Sequence, residues 1–219
     1  MATAPRGRGR PSRLSREQII AAAFDLIEQD PKTPLTVKRV ADAVAAAPMA
    51  LYRYFPDRDD LLQAVAEHVL ASTQPRSPTG DTWQEQVRSW MSSSQERLRR
   101  YAQLLPFMIS TRQPVGLRAV TTLADILRPL DLSDADRALA VALIGSTNFG
   151  YAVYDTNRAP VEQTAAAMRE AVAERPAEER EVVEPLLPWL PDADARLYGV
   201  VLDQVIATIE GLAASRAPR

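Results

Sequence analysis

The chain has 219 residues, a formal net charge of −2, 46% hydrophobic and 25% charged residues, which fits a globular protein of one or two domains. It has no cysteine and a single histidine, His68, so disulfides, thiolate zinc sites, iron–sulfur clusters and cysteine nucleophiles are excluded, and a His-based triad or histidine-rich metal centre has too few residues to form. No run approaches the ~18 uncharged apolar residues of a membrane helix, and no apolar stretch follows the basic N-terminus, so the expectations are a cytoplasmic protein with no membrane partner, no cofactor and no metal.

Residues 1–16 hold five arginines and no acid, while from residue 61 onward 16 basic side chains face 20 acidic ones. A basic arm on a mildly acidic body points to a polyanion met at one end. Alanine occurs 35 times and the 17 prolines fall between periodic segments. Alanine is the least costly residue to hold in a helix and proline breaks one, so the expected fold is all-α.

In chain order, residues 1–14 form a Pro/Gly/Arg arm with nothing to bury. The first helix starts behind Ser15, with Gln18 completing a capping box, and presents Ile19, Ile20, Ala23, Phe24 and Ile27 on one face. Asp30-Pro31 ends it. Thr36 opens a short second helix with Val37, Val40, Ala41 and Val44 inward. After a tight turn at Ala45–Ala47, Pro48 takes the first position of a third short helix, where its missing amide costs nothing. Pro56 stops that helix, and Asp57 caps a fourth running to about Ser72. Segment 73–80 is linker-like and marks a domain boundary. Further helices are expected at about 82–100, 105–112, 115–128, 134–156 behind Ser133, 161–174, 177–187 and 193–214.

Two short helices across a tight turn, held by a preceding helix, form a helix-turn-helix, whose second helix enters the major groove. Here that helix is Pro48-Met49-Ala50-Leu51-Tyr52-Arg53-Tyr54, with Leu51 and Phe55 turned inward. The run LTVKRVADAVAAAPMALYRYFPDRDDLL, residues 35–62, resembles the DNA-binding domain of the tetracycline-repressor (TetR) family. The matching elements are Thr36, the Val40-Ala41 pair, Leu51-Tyr52-x-Tyr54-Phe55 and the Asp57–Leu61 helix start. With the first helix the resemblance covers about residues 14–70. The family usually places Gly in the turn and Ser or Thr at the recognition-helix cap, where this chain has Ala45 and Ala47; a lost cap costs ~1 kcal/mol.

The resemblance implies that Tyr52, Tyr54 and Thr36 meet phosphates, and that Pro48, Met49 and Ala50 meet base edges. Lys38 and Arg39 lie near the DNA backbone, and Arg53 sits on the exposed face of the recognition helix. In the arm, Arg8-Gly9-Arg10-Pro11 resembles an AT-hook core: glycine lets an extended chain lie deep in a narrow minor groove, where flanking arginines find the negative potential of A·T tracts. The implied partners are double-stranded DNA carrying a near-palindromic operator, a small-molecule effector, and a second copy of the chain.

The expected organisation is a flexible basic arm over 1–14, a three-helix helix-turn-helix domain over 15–72, and a larger helical ligand-binding and dimerisation domain over 80–219. Ala138 to Tyr154 is a 17-residue stretch without a charge. An apolar helix of this kind is buried on both sides. With the apolar rows of the last helix it predicts a four-helix bundle across a two-fold axis, using Leu143, Val201, Val205, Ile209 and Leu212. Candidates for an effector pocket are Trp90, Met91, Leu104, Phe107, Met108, Asn148, Phe149 and Tyr151, with Asn148 the strongest because a buried amide needs partners. Paired acids such as Asp59-Asp60 sit at helix starts, where the dipole favours them, and no phosphate loop or nucleophile elbow occurs, so no enzyme is expected. The reading is a ligand-responsive repressor released by a small lipophilic effector. The alternative is an architectural, ligand-independent DNA-binding protein using the arm and helix-turn-helix only.

Overall fold

The computed structural model describes residues 14–72, 76–109 and 116–215, with no strand among the described residues. They divide into two compact units: 14–72 with 103–109, and 76–102 with 116–215.

In the first unit, helix α1 (Arg16–Gln29) begins with a complete capping box. The Gln18 amide donates to Ser15 Oγ at 3.2 Å, and the Ser15 amide donates to Gln18 Oε1 at 3.0 Å. Its Ile19, Ile20, Ala23 and Ile27 are buried. Helix α2 (Val37–Ala43) is capped by the Thr36 hydroxyl, which accepts from the Arg39 amide. Helix α3 (Pro48–Leu51) carries proline in its first turn, and Ala47 gives it no side-chain cap. Helix α4 (Arg58–Ser72) starts behind Asp57, whose carboxylate accepts from the Asp60 amide at 2.8 Å. Leu35, Val40, Ala41, Leu51, Phe55, Leu61, Leu62 and Val65 form the core of this unit. The expected boundary near 73–80 leaves out one return. Helix α6 (Leu105–Ile109) packs on α4, and Gln103 Oε1 accepts from the Leu35 amide at 2.7 Å. His68 is half-buried, with its ring edge-on to Phe24 at 5.3 Å.

In the turn between α2 and α3, Ala45 has φ 51°, the one non-glycine residue at positive φ among the described residues. A Cβ in the left-handed region costs ~1–2 kcal/mol. Ala45→Gly is therefore expected to stabilise the protein by about 1 kcal/mol, after the entropy of the freer glycine is subtracted. A higher urea midpoint with an unchanged slope would confirm it; an unchanged midpoint would show that the turn carries no strain.

The second unit is built from α5 (Trp83–Arg100), α7 (Leu117–Ile126), α8 (Asp134–Asn157), α9 (Val161–Ala173), α10 (Ala177–Val183) and α11 (Leu190–Ala214). Thr82 with Glu85 caps α5, and Ser133 caps α8. Two boundaries differ from expectation. Helix α10 ends at Val183 rather than near 187: Glu184 is still in the helical region, but Pro185 has no amide to donate the next backbone bond. Helix α11 begins at Leu190, earlier than 193, with Pro191 in its first turn, where proline is tolerated.

The core of this unit joins Val87, Trp90 and Met91 of α5, Leu123 and Ile126 of α7, Ala140 and Ile144 of α8, and Leu202, Val205, Ile206 and Ile209 of α11. Val205 and Ile209, expected at a dimer interface, are thus interior residues of the single chain, with relative exposures of 4% and 0%. Within 177–214 one 18-residue window is apolar enough, by length and composition alone, to cross a membrane. The stretch nevertheless carries Asp203 and Glu210, and its apolar row of Leu202, Val205, Ile206 and Ile209 is spent on this core.

Candidate functional site

The helix-turn-helix orients its second helix by two buried anchors. Leu51 and Phe55 are 1% and 2% exposed and hold the inner face of α3 and the turn behind it. The outer face then presents Pro48, Met49, Tyr52 and Arg53, all exposed, with Met49 at 73%. Ala50 is half-buried at the edge. Lys38 is exposed on α2. Thr36 Oγ1 accepts the capping bond of α2 through one lone pair and keeps its O–H to donate.

Two expected phosphate contacts are engaged elsewhere. The Tyr54 side chain is half-buried and its hydroxyl donates to the Leu14 carbonyl, tying the end of the helix-turn-helix to the chain just before α1. Tyr52 is left as the outward tyrosine of the pair. Arg39 donates to the carbonyls of Thr33 at 2.9 Å and Leu26 at 3.4 Å and lies 4.0 Å from Asp30. It clamps the α1–α2 connection rather than standing free. Arg16 stacks over the Phe55 ring at 4.9 Å, fixing a cation beside the recognition helix that sequence reasoning passed over. Arg8 and Arg10 lie outside the described residues.

In the second unit the buried polar residues are Ser94, Gln95 and Asn148. Asn148 Oδ1 accepts from Gln95 Nε2 at 3.0 Å and from the Tyr198 hydroxyl at 3.1 Å. Tyr198 in turn packs on Tyr151, ring centroids 4.7 Å apart. Burial pushes the Tyr198 hydroxyl far above its ordinary pKa, so it stays a neutral donor. Trp90 Nε1 and Gln95 Oε1 are buried without a hydrogen-bond partner among the described residues. Sequence reasoning found Asn148 but missed Gln95 and Tyr198. The available signal was Gln95 itself, a polar side chain beside the apolar row Val87, Met91, Leu98.

The expected pocket residues are not all in one unit. Trp90, Met91, Asn148, Phe149 and Tyr151 belong to the second, whereas Leu104, Phe107 and Met108 pack with the first. A separate cavity of 400 Å³ opens among α8, α9 and α11, lined by Tyr154, Val161, Met168, Leu190 and Leu197 with Arg158 and Asp194. Arg158 bridges Asp155 and Asp194 and stacks on Tyr154 at 5.5 Å. Partial burial raises the Asp155 carboxyl, but the bonds from Arg158 and Arg99 outweigh it and hold the group below its ordinary value.

On the surface of the same unit, α8 shows Leu139, Ala142, Ser146, Gly150 and Tyr154, and α11 shows Val200, Gln204, Ala207 and Gly211. These follow helical spacing, so each helix carries one exposed stripe of apolar and small residues. Of the expected interface residues, Leu143, Val201 and Leu212 are half-buried.

A family model described as bacterial regulatory proteins of the tetR family matches residues 19–65, and a tetracyclin repressor-like C-terminal domain matches residues 74–202, more than half of the chain. The chain belongs to the TetR family. Its relatives include the HTH-type transcriptional repressor DrrR1 of Streptomyces coeruleorubidus, 26% identical over 148 residues that make up 62% of this chain and 53% of that protein. An HTH-type transcriptional regulator of Saccharopolyspora erythraea is 25% identical over 74% of this chain and 68% of its own length. The chain therefore spans about half the length of the first of these relatives. Among solved structures, ActR of Streptomyces coelicolor in complex with actinorhodin covers 94% of this chain and all of its own, at 22% identity and TM-score 0.69. A possible TetR family transcriptional regulator from Streptomyces coelicolor is 26% identical at TM-score 0.64, covering 92% of this chain and all of its own. The TetR fold, an N-terminal helix-turn-helix unit followed by a larger helical unit, is what these likenesses share with the architecture above.

Proposed function

We propose that this chain is a ligand-responsive, sequence-specific DNA-binding transcriptional regulator, a repressor that a small lipophilic effector releases from its operator. The observation that carries the reading is the outward face of α3, with Met49, Tyr52 and Arg53 exposed above the buried Leu51 and Phe55. A short helix held rigidly with its far side free fits the major groove. Thr36, Lys38 and Arg53 flank it as phosphate donors, and Pro48, Met49 and Ala50 are the groups for base edges and thymine methyls. Membership of a family of bacterial regulators and the 26% identity to a repressor support the same reading. A bacterial regulator that acts on DNA acts in the cytoplasm, which supports that compartment for this chain.

Two copies are needed to read a near-palindromic site, one half-site each. The exposed stripes of α8 and α11 support an isologous dimer through a four-helix bundle. Glycine costs ~1 kcal/mol in a helix relative to alanine. A Cβ added at Gly150 or Gly211 would meet nothing within 4 Å in the chain, so no neighbour in the chain requires glycine there. A second copy approaching closely supplies the missing reason.

Genome-wide mapping of bound DNA, followed by titration of the recovered duplex, tests the reading. Tyr52→Phe removes one phosphate hydrogen bond and is expected to weaken binding up to about tenfold on every sequence. Met49→Ala is expected to change base preference at one position of each half-site. Binding that tolerates both changes would put the recognition surface elsewhere. The architectural alternative is separated by melting the protein against lipophilic metabolites: a ligand bound only by the folded state raises the midpoint.

A further inference from the structure

We propose that the second unit takes its effector as an anion on helix α5, with Arg97 pairing its carboxylate or ionised hydroxyl and the Trp90 N–H donating to a second oxygen. This deepens the effector-responsive reading above and rests on it. Trp90, Ser94 and Arg97 stand at spacings of four and three residues, so they line one face of α5. Trp90 is 4% exposed and its Nε1–H has no acceptor among the described residues. A buried donor left unpaired costs free energy, and indole nitrogens normally find partners. Ser94 is buried between the two at 5% exposure.

Arg97 is half-buried, and its environment differs from that of its neighbours. Arg99, two residues on, is exposed and bonds Asp155 at 2.6 Å. Arg97 has no ion pair among the described residues; burial draws its guanidinium below the ordinary value, and only the neighbouring Tyr101, not a carboxylate, works against it. The segments outside the described residues contain no Asp or Glu that could answer it. Favourable placement near the C-terminus of α5 does not account for this, because an exposed arginine meets the helix dipole equally well without desolvation. A cation that is desolvated and unpaired has its partner missing.

The spacing sets the size of the ligand. Seven residues of helix separate Trp90 from Arg97, about 10 Å along the axis. A planar aromatic acid of two fused rings, with its carboxylate at one end and an oxygen at the other, is comparable to that separation in length. Guanidinium suits a carboxylate by its two-pronged geometry, which an ammonium cannot reproduce.

Two measurements on the full chain test this. In the ligand-free protein, Arg97→Met is expected to raise the melting temperature, since it removes an unpaired cation and keeps the aliphatic stem; a lowered melting temperature would make Arg97 a structural residue and overturn the proposal. By calorimetry, a naphthoate bearing a hydroxyl on its far ring is expected to bind at least about ten times more tightly than the corresponding carboxamide. Arg97→Gln is expected to erase that preference, and Trp90→Phe to weaken both ligands. Equal binding of acid and amide, absence of binding by either, or a preference that survives Arg97→Gln would overturn the assignment. Neutral compounds that release the protein from DNA would leave the effector-responsive reading standing while sinking the anion assignment. A chain that binds the acid through Arg97 but binds no DNA would do the reverse.

Discussion

Ile209→Asp is expected to unfold the second unit. Ile209 is fully buried among the α5, α7, α8 and α11 residues of a single chain. Losing a buried isoleucine forfeits about 1.5–3 kcal/mol. The aspartate must then either ionise without a partner or take up a proton, which adds several kcal/mol. Against a typical total of 5–15 kcal/mol, the sum removes most of the folded population. Far-UV circular dichroism is expected to show loss of helix, and the protein to aggregate. A soluble, fully helical Ile209→Asp monomer would mean that the residue faces a partner rather than its own core.

Val200→Asp on the same helix is expected to behave in the opposite way. Val200 is 53% exposed, on the stripe that includes Gln204, Ala207 and Gly211. A charge there is solvated in the monomer and costs little, but in the proposed bundle it is desolvated against the partner's stripe. The variant is expected to keep its helix content and to sediment as a monomer. It should also bind the operator orders of magnitude more weakly, since half-sites are then held singly. Wild-type sedimentation as a monomer at micromolar concentration would remove the interface, and a persisting Val200→Asp dimer would move it to another face.

This pair of substitutions marks the limit of what periodicity can say. The pattern in the last helix reveals that two of its faces are apolar, but not which of them the chain covers with its own α5 and α8. Local signals were legible: the Ser15–Gln18 capping box, Thr36, Pro48 at a helix start and Asp57 each act within three residues, and each stands where expected. Non-local partners were not. Tyr54 meets a backbone carbonyl 40 residues away, and Arg39 meets two more at separations of 6 and 13. Carbonyls have no side-chain signature, so both residues read as free cations or hydroxyls in a motif that otherwise faces DNA. The return of 103–109 to α4 is likewise a packing choice made across a linker. Gln95 and Tyr198 escaped notice because an amide and a phenol on amphipathic helices look like surface residues until Asn148 is placed between them.

Deleting residues 1–13 is expected to lower DNA affinity and flatten its salt dependence without changing the melting temperature. The segment lies outside the described residues, and its relevant content is Arg6, Arg8, Arg10 and Arg13 with no acid. Each phosphate neutralised on duplex DNA contributes a slope of about 0.9 to log K against log salt, so four contacts account for up to ~3.6. Over a fourfold change in salt that difference amounts to on the order of a hundredfold in affinity. Arginines inserted in a narrow minor groove also sense its width, so replacing A·T pairs beside each half-site with G·C pairs should weaken the full chain and leave the truncated one unaffected. The two effects separate two roles for the arm. A lowered slope with no dependence on the flanking pairs assigns the arginines to phosphates alone and removes the AT-hook reading of Arg8-Gly9-Arg10-Pro11. An unchanged slope makes the arm a bystander, and Lys38, Arg53 and Arg16 then carry the electrostatic attraction from the helix-turn-helix itself.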